Sequence, residues 1–438
     1  MRRLIRHDLP RCSSWALTAC FVLLGPRAVC ALQPLDAFLA ASQRNNPDNV
    51  EASATERQRV AQRDAATAAY LPSFTAQGVY THNQYDASFN FNGQNLTITP
   101  QNGLDAYLTL SVPIVNIGAW QQRAAATANI ASAAATRANT ALSVESAVTQ
   151  AYYQLLGAEA VLFSAKKTVE VSSGNLQLVR DRQEFGTASD LDLQRALADV
   201  ARAEKDAAAA EQNVVLGRRS LESLSRLAPE AATPDDYRED DLREETSLET
   251  WLTTESDDLI AVKPALRAID AAEVSRKATR AAWLPTLSAQ GQERFTNAGG
   301  FTGRNQYYTL TATASWRVDF ALAPNVAAQT EAVAAARARE DKARRSAEDA
   351  IFRAWHQVRV GIEKARSARA QFKAATLAQD LARDRYKGGV ATQLEVVQAQ
   401  RDYFVAAVDQ VQADFDLRYA RALLRLSARR TDGKEAPR

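Results

Sequence analysis

Residues 66–78 read ATAAYLPSFTAQG, and residues 279–291 read TRAAWLPTLSAQG. In both stretches an alanine-rich segment runs into an aromatic residue, Leu and Pro, and an alternating segment follows. Proline ends a helix because it lacks an amide proton and its ring clashes with the preceding turn. Pro72 and Pro285 therefore predict the same step at two places in the chain, from a helix into a β-strand.

A second pair of similar stretches lies further along the chain. Residues 186–193 read GTASDLDL, and residues 389–396 read GVATQLEV. Both pairs are separated by about 200 residues, which is far longer than the period of a solenoid repeat. The sequence therefore predicts one duplication, with a first structural repeat at 32–228 and a second at 259–428.

Alternation of apolar and polar side chains with period two predicts two strands in each repeat. These strands cover about 73–82, 104–114, 286–295 and 308–320. Four strands cannot close into a barrel, and an open sheet edge cannot lie in lipid. Either the strands form a soluble sheet, or several chains pool them. Aromatic residues on or near the strand ends suit a membrane interface: Tyr70, Trp283, Tyr308 and Trp316.

Long helices account for most of the remaining chain. Apolar residues recur with 3-4 spacing, and many of them are alanine, which indicates coiled-coil packing with close approach of the helices. Long helices are predicted at 119–185 and 322–386, with shorter returning helices at 190–227 and 390–427. Helix 119–185 would extend about 100 Å. A helix at 34–69 stacked end to end with 190–227 would match that length, as a tall cylinder requires.

The N-terminus is predicted to be an export signal. Several arginines precede a short apolar segment from Trp15 to Leu24, and a small-residue cleavage site ends at Ala31. Cleavage there removes all three cysteines, which excludes disulfides and thiol chemistry in the mature chain. Residues 17–20 read LTAC and also resemble a lipoprotein cleavage site, so lipidation of Cys20 stays open.

Charge is distributed unevenly along the chain. The formal net charge of +2 includes five arginines and one aspartate in the signal, so the mature chain is close to −2 and gives no indication of nucleic-acid binding. Residues 229–258 carry twelve acidic residues against Arg238 and Arg243, which is typical of a solvated surface. We predict a polar belt segment or linker there, and a polar tail at 429–438.

Residues suited to catalysis or to cofactor binding are not evident in the mature sequence. His82 lies in a predicted loop and His356 in a helix, and neither has a second ligand at metal-binding spacing. The glycine-rich stretch 299–303 lacks the Lys-Ser/Thr of a phosphate-binding loop. We therefore predict no enzymatic activity, no metal and no cofactor.

The repeated aromatic-Leu-Pro step, the repeated Gly-x-x-Ser/Thr-x-Leu-Asp/Glu turn and the Asn46-Pro47 pair resemble the TolC-like outer membrane factor family over about residues 33–428. The resemblance implies a mixed fold class, an all-α coiled coil joined to a membrane β-barrel. Three copies with four strands each would close a 12-stranded barrel in outer membrane lipid, continued by a periplasmic α-helical barrel. Pro72 and Pro285 would mark the helix breaks at the barrel base.

The implied function is an outer-membrane channel-tunnel of a tripartite efflux or type I secretion system. The homotrimer would bind a periplasmic adaptor protein and, through it, an inner-membrane pump. The hairpin turns near 185–190 and 387–392 would form the periplasmic end of the tunnel. The resemblance implies that the adaptor contacts Gly186, Ser189, Leu191, Gly389, Thr392 and Leu394.

The resemblance also implies a gate at these turns. Asp192 and Tyr386 match members of a gating hydrogen-bond network, and Glu395 matches an acidic residue at the narrow entrance. Three copies of Glu395 would form a carboxylate ring that attracts cations. Ala391 replaces the arginine of that network, and Gln398 replaces a second acidic residue at the entrance. Asp192 and Glu395 as ordinary solvated helix charges remain an alternative.

A periplasmic coiled-coil scaffold without channel activity also explains the helices and the signal, but it leaves the paired, aromatic-ended strands unexplained. An envelope hydrolase requires a clustered polar site, which the sequence does not display. The exported substrate, the adaptor and the class of pump stay open.

Overall fold

The computed structural model describes residues 32–91, 93–230, 241–252 and 256–431. The predicted signal at 1–31, with Cys20, lies outside the described residues, as does the tail from 432 onwards. The first repeat contains α1 (Leu35–Asn45), α2 (Pro47–Ala68), β1 (Ser73–His82), β2 (Ala87–Phe91), β3 (Gln94–Thr99), β4 (Asn102–Val115), α3 (Ile117–Glu184) and α4 (Asp190–Ser225). The acidic segment between the repeats contains α5 (Leu248–Leu252). The second repeat contains α6 (Lys263–Ala281), β5 (Thr286–Thr296), β6 (Gln306–Ser315), α7 (Leu322–Lys387) and α8 (Gln393–Ser427).

Both repeats follow the same order of helix, strand, strand, long helix and returning helix. The predicted fold class, helices with a small sheet in two repeats, is confirmed. Pro72 and Pro285 each directly precede a strand, and in both places four residues separate the end of the helix (α2 or α6) from the start of the strand (β1 or β5). No helix in the described ranges is long and apolar enough to cross a membrane.

The helix expected at 34–69 is divided in two at Asn46. The residue before a proline avoids the helical region, and Asn46 accordingly has an extended backbone with φ −68° and ψ 129°. Its side chain caps α2 by accepting a hydrogen bond from the Asp48 amide at 2.9 Å. The same side chain donates to the Leu224 carbonyl at 3.0 Å, which joins the start of α2 to the end of α4.

The main sheet is antiparallel with the strand order β1-β4-β5-β6. Strands β2 and β3 form a separate hairpin in the segment between the strands predicted at 73–82 and 104–114, where the sequence analysis predicted no strand. The polar composition of this segment conceals its strand character. Strand β6 ends at Ser315, although alternation predicted a strand to 320. It ends there because its partner β5 begins at Thr286, which pairs with Ser315, so residues beyond 315 have no strand to bond.

One face of the main sheet is apolar and exposed. Phe74 is 68% exposed and Leu310 is 79% exposed, although both lie in paired strands. The other face carries threonine, serine and glutamine, together with an ion pair of 2.9 Å between Arg294 and Asp105. The protein therefore leaves apolar side chains in contact with its surroundings where an ordinary soluble sheet would cover them.

The helical body consists of long antiparallel pairs, α3 with α4 and α7 with α8. At Gly217 an added Cβ would lie 3.3 Å from the Leu155 side chain, and at Gly361 it would lie 3.3 Å from the Leu417 side chain. Both leucines are fully buried. The small residues at the interfaces of the paired helices, which we call the seams, therefore permit the close helix approach that the sequence predicted.

The acidic segment packs against the second repeat in its described part. Trp251 is buried in the core formed with α7 and α8. The Trp355 indole donates to the Thr246 carbonyl at 2.9 Å, and the Arg421 guanidinium donates to the carbonyls of Asp241 and Arg243 at 2.8 Å. Arg243 holds the pKa of the Asp241 carboxyl below its ordinary value by hydrogen bonding to it. Residues 241–252 therefore pack against α7 and α8 of the second repeat.

Candidate functional site

The end of the helical body opposite the sheet is formed by two turns, which we call the tip (residues 182–193 and 385–396). In the first turn α3 ends at Glu184, and Gly186 takes a left-handed φ of +71° that residues with a Cβ rarely adopt. Ser189 then caps α4. Its hydroxyl accepts from the Asp192 amide at 3.2 Å, and Asp192 accepts from the Ser189 hydroxyl at 2.7 Å.

The second turn repeats this chemistry. Helix α7 ends at Lys387, and Gly389 has a φ of +77°. The Thr392 hydroxyl accepts from the Glu395 amide at 3.3 Å, and the Glu395 carboxylate accepts from the Thr392 hydroxyl at 3.2 Å. Both acidic residues singled out by the sequence therefore cap their own helices. The Ser/Thr-x-x-Asp/Glu spacing in the sequence is the signal that indicates this role.

Asp192 and Tyr386, which match members of the family's gating network, lie in different parts of the tip. Asp192 bonds Ser189 and lies 3.9 Å from Arg195, and within the described residues no hydrogen bond joins it to Tyr386. Tyr386 is buried in a small apolar cluster of the tip that includes Val179 and Val396. Ala391 packs against the same cluster. Tyr386 is therefore buried where the second hairpin packs onto the first.

Arg182 instead approaches Tyr386. Its Nη1 donates to the Tyr386 carbonyl oxygen at 2.9 Å, and its guanidinium carbon lies 4.6 Å from the centre of the Tyr386 ring. The sequence reasoning missed Arg182. Its only signal there is a basic residue in the last turn of a helix, which is a common feature.

The remaining predicted tip residues lie at the surface. Leu191 and Leu394 occupy equivalent places in the two turns and are 57% and 44% exposed. Glu395 and Gln398 are exposed on α8. Phe185, which the sequence reasoning did not select, is 82% exposed beside Gly186. The tip therefore presents apolar side chains and carboxylates together at its surface.

A buried polar cluster lies within the helices near the tip. The Asp199 carboxylate on α4 accepts from the Ser172 hydroxyl on α3 at 3.0 Å, and Ser172 accepts from the Gln400 amide on α8 at 3.3 Å. All three side chains are buried. Burial raises the pKa of Asp199 because the charged form loses its hydration, although the Ser172 hydrogen bond opposes this.

No cluster of His, Cys, Asp or Glu in the described ranges is arranged to hold a metal ion. A subunit with long capped helical hairpins at one end, and at the other a sheet with a bare apolar face, belongs to the class of outer-membrane channel proteins.

The chain belongs to the outer membrane efflux protein family, whose sequence model matches residues 39–225 and 260–428. It is therefore a protein of the outer membrane that extends into the periplasm, and its function is that of an efflux channel. No curated protein sequence matches the chain.

Several solved structures share the fold of this chain. The CmeC outer membrane channel of Campylobacter jejuni superimposes with a TM-score of 0.77 at 16% identity, over 97% of this chain and 93% of that chain. A membrane protein from Pseudomonas aeruginosa gives 0.75 at 18% identity, over 90% and 93%. The open state of the MtrE outer membrane channel of Neisseria gonorrhoeae gives 0.72 at 18% identity, over 91% and 89%.

Proposed function

We propose that three copies of the chain form a channel-tunnel that carries substrates from the periplasm or the cytoplasm to the exterior. The observation that carries this proposal is the sheet, in which β1 and β6 are the outer strands and one face is apolar and exposed. An open strand edge in lipid leaves backbone N–H and C=O groups without partners, at a cost of several kcal/mol each. Pairing β6 of one copy with β1 of the next closes three sheets into one barrel without edges.

The two faces of the sheet support this arrangement. Leu108, Leu110 and Leu310 lie on the exposed face and would contact lipid. Arg294 and Asp105 lie on the polar face with the threonines and would line a water-filled interior, as the alternation of barrel strands requires. Four strands from each of three copies give the 12-stranded barrel.

The helices supply the rest of the tunnel. Helices α3 and α7 have 68 and 66 residues. At 1.5 Å per residue each is about 100 Å long, so that the helical body would reach far into the periplasm. Pro72 and Pro285 would mark the base of the barrel, and the tip would be the periplasmic entrance.

We assign three roles to the tip: contact with an adaptor protein, gating, and ion selectivity. Gly186, Ser189, Gly389 and Thr392 shape the turns, and the exposed Leu191 and Leu394 would contact a periplasmic adaptor protein. Through that adaptor an inner-membrane pump would supply the energy, since we propose no catalytic activity for this chain.

The gate would include Asp192 and Tyr386. Glu395, repeated by threefold symmetry beside Gln398, would form a ring that favours cations.

Single-channel conductance of the detergent-extracted protein in a planar bilayer tests this proposal, with the assembly mass measured on the same sample. We expect a trimer that conducts in discrete steps and fractionates with the outer membrane. A soluble, non-conducting protein would contradict it and would favour the periplasmic scaffold.

A further inference from the structure

The polar face of the main sheet is uniform except at one level. Most of its side chains are threonine, serine or glutamine, since strand residues of one face alternate with those of the other. Within the four described strands of this sheet, the charged and aromatic side chains of the polar face are Asp105, Tyr107, Arg294 and Tyr307. They lie together near the end of the sheet that is opposite the helical body.

Three of these side chains form a row across three strands, which we call the aromatic row (Tyr107, Arg294 and Tyr307). Arg294 of β5 lies directly opposite Tyr107 of β4 on one side and Tyr307 of β6 on the other. Its guanidinium carbon is 5.5 Å from the centre of the Tyr107 ring and 5.9 Å from the centre of the Tyr307 ring. Both distances are those of cation–π contacts.

Hydrogen bonds fix the guanidinium between the two rings. Arg294 Nε donates to the Asp105 carboxylate at 3.0 Å, and Nη2 lies 2.9 Å from the same oxygen. Arg294 Nη1 donates to the Tyr307 hydroxyl at 2.8 Å. The side chains of β4, β5 and β6 at this level are therefore held in one arrangement before any ligand arrives.

The arginine of this ion pair is more accessible than the carboxylate. The Arg294 side chain is 32% exposed, whereas that of Asp105 is 17% exposed. A guanidinium carries five N–H donors, and its contacts with Asp105 and Tyr307 within the described residues use three of them. The pair is neutral as a whole, but the polar face presents N–H donors and tyrosine rings rather than a carboxylate.

In the proposed trimer the polar face lines the interior of the barrel. Twelve strands about 4.8 Å apart and tilted by about 40° enclose a circle roughly 25 Å across between backbones. Tyrosine and arginine side chains reach further inward than threonine, serine or glutamine. Three copies of the aromatic row would therefore form the narrowest level of the sheet, close to its exterior end.

We propose that the aromatic row is a binding site for planar aromatic anions as they leave the channel. The ring of the ligand stacks on Tyr107 or Tyr307, and its carboxylate or sulfonate accepts from the remaining N–H groups of Arg294. The small polar side chains elsewhere on this face offer neither contact. This inference rests on the proposed channel function and adds a substrate class to it, at a level of the tunnel far from the tip.

The test uses 1-naphthalenesulfonate as the probe, in planar-bilayer recordings of the full-length protein. The probe should reduce the conductance of the parent, and methanesulfonate, which has the same charged group without a ring, should not. Tyr107→Ala and Tyr307→Ala should each raise the half-blocking concentration about five- to tenfold. Tyr308→Ala is the matched control, because Tyr308 is the next residue of β6 and is 73% exposed on the apolar face. It should leave the block unchanged.

A double variant tests the part played by charge. Asp105→Asn combined with Arg294→Gln removes the ion pair without changing the net charge. It should bind 1-naphthalenesulfonate no better than the uncharged 2-naphthol, whereas the parent should prefer the sulfonate. Equal preference for the two probes in the parent would refute the role of Arg294 as an anion-binding group.

Calorimetric titration of the detergent-solubilised protein with 1-naphthalenesulfonate gives a readout that does not need conduction, because each aromatic row lies within one chain. Uptake by detergent is common to all variants and is measured by Tyr308→Ala. If Tyr107→Ala and Tyr307→Ala bind the probe as tightly as Tyr308→Ala does, or if methanesulfonate blocks equally well, the proposed site is wrong. A parent that binds the probe but does not conduct refutes the channel function and leaves the site, whereas one that conducts without binding refutes the site alone.

Discussion

The two hairpin turns have the same backbone but different surroundings. Each uses a left-handed glycine followed by a reciprocal capping pair. In the first hairpin Gln183 and Asp190 bond each other at 2.7 Å, and Asp190 is exposed. The equivalent positions of the second hairpin hold Tyr386 and Gln393, and both side chains are buried.

This difference indicates what the duplication preserved and what it changed. Capping depends on residues within four positions of one another, so each copy can retain it independently. Burial depends on what lies beside the turn, and there the second hairpin packs onto the first through Arg182 and the tip cluster. The contact between the hairpins therefore buries Tyr386 and Gln393 of the second turn, whereas Asp190 of the first turn stays exposed.

The largest effects should come from the seams that both repeats share. Leu155 and Leu417 are both fully buried against a glycine of the neighbouring helix. Leu155→Ala and Leu417→Ala should each lower the free energy of unfolding by about 2–5 kcal/mol, and an aspartate at Leu155 should prevent trimer assembly. Denaturant unfolding measures this, with the 61% exposed Leu381→Ala as the control. If only one leucine is sensitive, the two seams are not equivalent.

The same comparison separates what the sequence predicts from what it does not. The steps at Pro72 and Pro285 and the long helices follow from local patterns, because proline and 3-4 spacing act within a few residues. The break at Asn46 was also readable, since it precedes a proline. The Arg182–Tyr386 contact was not, because it joins positions 204 apart and only the packing of the hairpins brings them together.

A smaller difference in the free energy of unfolding is expected between the two turns at Gln393. This side chain is 2% exposed, and neither of its amide atoms has a hydrogen-bond partner among the described residues. Burying such a group costs about 1–3 kcal/mol. Gln393→Leu should therefore raise the free energy of unfolding, whereas Asp190→Leu at the equivalent exposed position should not. Denaturant unfolding of both variants checks this, and equal changes would contradict the difference between the turns.

Loss of either capping pair should lower helix stability by a similar amount, but the two pairs should differ in their effect on ion selectivity. Ser189→Ala and Thr392→Ala should each cost about 1 kcal/mol, because each leaves helix N–H groups without a partner. Amide hydrogen exchange in the first turns of α4 and α8 reports this loss. Unequal protection losses in the two helices would show that one cap is redundant.

Ion selectivity distinguishes the two carboxylates of these pairs. We expect Glu395→Gln to lower cation preference in planar-bilayer recordings, because it removes the proposed ring of charge. Thr392→Ala breaks the same cap but retains the Glu395 charge, so its selectivity should match the parent. Asp192→Asn is the corresponding change in the first turn. Unchanged selectivity in Glu395→Gln would leave the carboxylate with its capping role alone.

The smallest effect should be the pH dependence at Asp199, where α4 of the first hairpin meets α8 of the second through Ser172 and Gln400. Burial raises the pKa of Asp199, so the folded state binds its proton more tightly than the unfolded state does. The associated stability is present at pH below the unfolded value of about 3.9 and is lost as the pH rises through the folded pKa.

Asp199→Asn keeps an oxygen that accepts from Ser172 and removes the titration. Its unfolding free energy should therefore exceed that of the parent at neutral pH and converge with it in acid, and Asp190→Asn on the exposed surface of α4 is the control. Parallel stability–pH curves for Asp199→Asn and the parent would show that the site does not couple protonation to the contact between the hairpins. Converging curves would show that the contact of Asp199 with Ser172 and Gln400 is a pH-dependent link between the two hairpins, in addition to the contact of Arg182 with Tyr386.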